Sequence, residues 1–229
     1  MDETRTNANS FPWKFLCLTF LLTWACWILA GTAYLERFGI LTRILHYAGG
    51  VMPAVVAIHL LHRYNDPTER KDYWKRLIDL RRINRVWYGV IFLTVPILTI
   101  LGIIFDMILG GKGAELEAAT SIINNPLTLI PFAVFTLLFG PLPEEMGWRG
   151  YTLDGLQSRW NALEASLILG VAWTVWHLPL FFISGSYQQG LGIGTPQFWL
   201  YLLDKIPQSI LMTWIYNNCR RSGNGCIIL

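Results

Sequence analysis

Six long stretches of this chain carry little charge, and they constrain its fold more than anything else in it. A helix needs about 20 mostly apolar residues to cross a hydrocarbon core, and such runs lie at about 13–34, 45–61, 86–109, from 127 onward, 163–183 and 197–217. The second is slightly short and is interrupted by Gly49, Gly50 and Pro53. A further apolar run opens at Cys226 close to the last residue, and reads as the first turn of a truncated seventh span. Hydrophobic residues make up 53% of the chain and charged residues 14%, where a soluble domain averages about 25% charged. The expected fold is therefore all-α: a polytopic transmembrane helical bundle of six spans plus that start, one membrane-embedded domain over 1–229. No cleavable leader pattern precedes the first span, which is expected to be retained. Cys17, Cys26, Cys219 and Cys226 form no CxxC, so the pattern supports neither a disulfide framework nor a zinc knuckle.

Basic residues orient the spans. The loop between the second and third holds eight: Arg63, Arg70, Lys71, Lys75, Arg76, Arg81, Arg82 and Arg85. The positive-inside rule makes that loop cytoplasmic. Alternation then puts Arg5, Lys14, Arg149, Arg159, Arg220 and Arg221 on the same side, leaving Arg37, Arg43 and Lys112 outside. The N-terminus is expected in the cytoplasm. A loop this basic also suits a lipid headgroup site, although topogenesis alone accounts for it. Asn65-Asp66-Pro67 reads as a turn.

One short stretch breaks the apolar pattern: Glu144-Glu145-Met146-Gly147-Trp148-Arg149. On a helix Glu145 and Arg149 are four apart with the acid first, the favoured order for a pair. Glu144 is turned roughly 100° away and is not claimed by Arg149, while Trp148 is placed to pack against its carboxyl. Two readings stay open on these residues alone: a clamp beside a carboxylate free for acid–base work, or an interfacial ion pair at a helix end.

An ionisable group inside a bilayer costs roughly 2.5–3.5 kcal/mol on insertion scales and needs a reason to be there. His177 lies about 20 Å into the fifth span by helical rise, within Trp173-Thr174-Val175-Trp176-His177-Leu178-Pro179. Pro179 should loosen the helix there. His177 is either a polar contact between helices or, with Glu144, part of a pair that holds and deprotonates a water. His59 and His62, with His46 upstream, share no acidic ligand and make a weak metal candidate. Asp204-Lys205 interrupts the sixth span and either neutralises itself or lines a cavity. Cys226-Ile227-Ile228-Leu229 spells a CaaX box, but a prenyl anchor adds little to six spans. No GxSxG, HExxH or phosphate-binding glycine loop occurs.

Glu144-Glu145-x-x-x-Arg149, continued by Gly150-Tyr151, together with the aromatic-x-x-x-His ending at His177-Leu178-Pro179, resembles the CAAX prenyl protease and bacteriocin-processing (CPBP) intramembrane protease family. The resemblance covers about 126–229. It implies an integral-membrane endopeptidase, in a bacterial or archaeal plasma membrane, that acts on a prenylated protein or peptide substrate. It implies Glu144 as the general base, His177 as the group that holds the water, and Glu145 and Arg149 as supporting acid and base. Zinc is the candidate cofactor, with Glu144 and His177 its only evident ligands, fewer than the usual three. No nucleic-acid partner is expected. Trp173 stands where phenylalanine is commoner. The family's further His, with Asn or Asp four residues on, has no counterpart in this sequence, which is expected to be truncated before it. The rival expectation is a non-catalytic immunity or scaffold protein on the same fold.

Overall fold

The structure is a computed structural model that describes residues 12–32, 38–110 and 126–228. Arg5, Arg37 and Lys112 of the charge pattern, and Leu229, lie outside the described residues. All regular structure among the described residues is helical. In chain order the α-helices are α1 (Trp13–Ala30), α2 (Gly39–Tyr64), α3 (Pro67–Ile78), α4 (Arg85–Ile108), α5 (Pro126–Phe139), α6 (Pro141–Gly147), α7 (Leu153–Gln157), α8 (Ala162–Trp176), α9 (Tyr187–Leu191), α10 (Pro196–Asn218) and α11 (Gly223–Ile228). A π-helical turn, Trp148–Thr152, joins α6 to α7, and a 3₁₀ turn, Leu178–Phe182, extends α8.

Four of the described helices are long and apolar enough to cross a membrane: α1, α2, α4, and α8 with its 3₁₀ extension, Ala162–Phe182. The other two expected spans differ. α5 has 14 described residues, and α10, at 23, carries Gln197, Asp204, Lys205 and Gln208. α4 buries only Ile91 and leaves Phe92, Leu93, Ile97, Leu101 and Ile104 exposed, a surface suited to lipid rather than water.

The glycines and proline of the second span do not break it; α2 runs through them. Pro53 removes the N–H that would bond the Gly49 carbonyl, and the Thr23 hydroxyl of α1 donates to that oxygen at 3.0 Å. Trp27 Nε1 donates to the His46 carbonyl at 2.8 Å. Within lipid a freed backbone group must find such a partner, so α1 and α2 pack as a pair.

Asn65-Asp66-Pro67 is the entry to α3. Asp66 caps it, accepting from Thr68 and Glu69 N–H at 2.7 and 2.9 Å, while Glu69 returns a bond to the Asp66 N–H. α3 is tied to the far end of the chain through Asp154 of α7. Arg76 pairs with Asp154 Oδ2 at 2.5 Å, Arg221 with Oδ1 at 2.8 Å, and the Tyr216 hydroxyl donates to Oδ1 at 3.1 Å. Arg220 and Arg221 both hold positive φ, 53° and 59°. That left-handed pair reverses the chain and sends α11 back against α3, α4 and α6.

α6 is pressed into α1 and α2 at Gly147. A Cβ built there would lie 2.8 Å from the Pro53 carbonyl oxygen and 2.9 Å from Phe15 Cζ. Backbone cannot yield cheaply, so Gly147→Ala should cost about 1–3 kcal/mol. The expected outcome is a lower thermal midpoint in detergent, compared against Gly102→Ala, whose Cβ meets nothing within 4 Å.

Candidate functional site

The acidic stretch sits where α6 gives way to the π-turn. Widening of the helix there frees carbonyls from their usual partners, and the Tyr73 hydroxyl of α3 donates to the Met146 carbonyl at 3.0 Å. Burial raises the Tyr73 phenol above its ordinary pKa, which keeps it a donor. Across this transition Arg149 Nη1 donates to Glu145 Oε1 at 2.6 Å, with side chains 0% and 1% exposed. The Arg149 charge is sealed inside the protein. Among the described residues, Glu145 Oε2 and Arg149 Nε and Nη2 are buried without a hydrogen-bond partner. The Arg149 guanidinium lies over the Trp173 ring, 4.7 Å from its centroid.

Glu144 points the other way, to the wall of a cavity of about 750 Å³ that also includes His177 and Trp173. Its Oε2 accepts from Trp173 Nε1 at 2.7 Å. The indole beside this carboxylate is thus that of Trp173. Trp148, expected in that place, is fully buried edge-on to Phe15 and Trp176 at 5.4 and 5.8 Å.

His177 stands where α8 tightens to 3₁₀ geometry ahead of Pro179, its N–H bonding the Thr174 carbonyl at 3.2 Å. The Trp173 carbonyl, one residue further back, receives His177 Nδ1 at 2.7 Å instead. An oxygen that can only accept assigns the proton to Nδ1, leaving Nε2 with its lone pair. Trp173 therefore holds both groups: its indole N–H orients Glu144 and its carbonyl fixes His177. The helix spacing that puts residues 173 and 177 on one face was legible in the sequence; the reach to residue 144 was not.

α10 brings the part of the site that the sequence left undecided. Gly170 lets α8 approach it so closely that a Cβ would lie 3.2 Å from Ile206 Cα. Thr174 Oγ1 then donates to the Leu202 carbonyl at 3.1 Å and Ser209 Oγ to the Ser166 carbonyl at 2.9 Å, the small-residue packing common between membrane helices. This places Tyr201 and Lys205 in the cavity wall. Lys205 Nζ is 4.5 Å from the Tyr201 ring centroid and 5.2 Å from that of Trp173. Asp204 lines the same cavity and accepts from Gln208. Between the two expectations for Asp204-Lys205, the cavity-lining one holds.

Among the described residues no group of three His, Cys, Asp or Glu side chains gathers to hold a metal. Glu145 is committed to Arg149; Glu144, His177, His46 and Asp204 all line the cavity, but no three of them gather, and a cation, Lys205, shares the wall. This donor set does not fit the zinc expected from the resemblance. His59 and His62 lie at the end of α2 and join no such group. Cys226 is 1% exposed, its thiol donating to the Met212 carbonyl at 3.3 Å.

Residues 126–228, which contain Glu144, Glu145, Arg149 and His177, match the family model described as type II CAAX prenyl endopeptidase Rce1-like. The chain is also similar to CAAX prenyl protease 2 of Methanococcus maripaludis, with 28% identity over 213 residues, 92% of this chain and 78% of that protein. With apolar helices of spanning length and a membrane-protease family likeness, this is an integral membrane protein. Residues 126–228 are thus similar to the Rce1-like type II CAAX prenyl endopeptidases, and the similar region contains the acidic stretch and His177.

Proposed function

We propose that this protein is an intramembrane endopeptidase that hydrolyses a peptide bond near the prenylated or membrane-associated end of its substrate, by a water that Glu144 activates. The observation that carries the reading is one shared residue: Trp173 holds the Glu144 carboxylate by its indole N–H and the His177 ring by its backbone carbonyl, at the wall of one cavity. The Glu144 carboxylate takes a proton from water as its oxygen attacks the scissile carbonyl carbon. His177 Nε2 accepts the water's second hydrogen as a hydrogen bond and keeps a lone pair of the oxygen on line. Collapse of the tetrahedral adduct breaks the C–N bond, and Glu144 returns its proton to the leaving amine. The products are a new carboxyl end and a short released peptide. No step is routed through a metal.

Glu145 and Arg149 support this chemistry without touching the substrate. Their ion pair locks the helical phase at which Glu144 faces the cavity, and the guanidinium braces the Trp173 ring from the face. Six spans and a cytoplasmic N-terminus complete the proposal, with the cavity opening toward the cytoplasm.

Glu144→Gln should lower cleavage of a farnesylated CaaX-type peptide by about 10²–10⁴-fold with thermal stability unchanged. Retained cleavage would sink the mechanism, and binding without cleavage in the unaltered protein would favour a non-catalytic role. Arg149→Met behaves differently. It leaves Glu145 buried and unpaired, so a loss of about 3–5 kcal/mol is expected, read as a lower thermal midpoint in detergent; Glu145→Gln with Arg149→Met together should recover part of it.

A further inference from the structure

Lys205 is a half-buried cation at the cavity wall that the hydrolytic mechanism does not use. It makes no ion pair among the described residues. Its one hydrogen bond is a long one, 3.4 Å to Gln208 Oε1. Asp204, the neighbouring acid, is engaged by Gln208, and Glu144 is engaged by Trp173. Both act on the ammonium only from a distance. The faces of Tyr201 and Trp173 hold Nζ in place, but ring faces only partly replace the hydration or ion pair that a half-buried charge needs. An ammonium held over aromatic faces at the wall of a large cavity lacks an anion.

Glu144 and Lys205 contact the same indole, the carboxylate at 2.7 Å from Nε1 and the ammonium at 5.2 Å from the ring centroid, so a peptide end held at Lys205 lies near Glu144. Val95, Leu98, Leu211 and Met212 line the same space and suit the aliphatic side chains of such a peptide.

We propose that Lys205 seats the free C-terminal carboxylate of the substrate in the cavity that Glu144 also lines. This rests on the endopeptidase reading and adds its specificity element: a peptide with a free carboxyl end is taken, and one whose end is masked is refused. Tyr201 and Trp173 hold the ammonium by their faces and leave its N–H donors to the carboxylate. A charge-assisted bond of this kind contributes about 10- to 100-fold in affinity.

The test separates this inference from the proteolytic one. A farnesylated CaaX-type peptide is made as the free acid and as the C-terminal amide, and both are bound to the Glu144→Gln protein. The acid should bind about tenfold or more tightly than the amide. Adding Lys205→Met should bring the ratio to about one by weakening the acid alone, and Lys205→Arg should restore most of it. An acid-to-amide ratio unaffected by Lys205→Met, or an equal loss for both peptides, would overturn the assignment. Cleavage that persists in Glu144→Gln alone would sink the proposed mechanism and leave the binding ratio to decide Lys205.

Discussion

The Glu145–Arg149 ion pair is the constraint around which the rest of this protein is arranged. Both side chains are sealed from solvent, and a charge placed there alone would cost several kcal/mol. The pair is tolerated only while the chain keeps the two residues on one side of the turn. That requirement fixes the phase of α6 and the π-turn, and it turns Glu144, the next residue in sequence, toward the cavity. The same guanidinium lies on Trp173, whose N–H in turn orients Glu144. One buried pair thereby sets the direction of the acid and the position of the group that aims it.

A second theme runs through the fold: irregular backbone is repaired by side chains from neighbouring elements. Thr23 serves the carbonyl that Pro53 leaves open, Tyr73 serves Met146 beside the π-turn, and His177 serves Trp173 where α8 tightens. Each repair ties one element to another or fixes a ring near the cavity. In a bilayer these bonds have no water to compete with them and none to replace them. The departures from regular helix are therefore also the places where the functional groups are held still.

The charged residues sort into two depths. Around Asp154, the partly exposed arginines of α3 and the Arg220–Arg221 turn clip the chain's last described helix to the bundle. Deeper in, Glu144, His177 and Lys205 share one cavity without pairing with each other. The first network is satisfied within the protein and is structural. The second is incompletely satisfied.

Much of this was legible in residue order. Apolar run lengths gave the positions of α1, α4, α10 and, with its 3₁₀ extension, α8 to within a few residues, because the hydrocarbon thickness fixes how much apolar chain a span requires; α2 begins earlier than its run, at Gly39. The four-residue spacings of Glu145–Arg149 and Trp173–His177 gave two contacts directly, since residues four apart share a helix face. Sequence alone could not decide that α2 survives its glycines and proline, because the donors that repair it belong to α1. It also misassigned the indole beside Glu144: Trp148 is near in sequence, whereas Trp173 arrives on another helix. Lys205 was visible as an anomaly in an apolar run, yet its place opposite Glu144 depends on how closely Gly170 lets α8 and α10 approach. Local order determined which side chains could pair along one helix; only tertiary packing decided which helices met, because that depends on the fit of surfaces far apart in the chain.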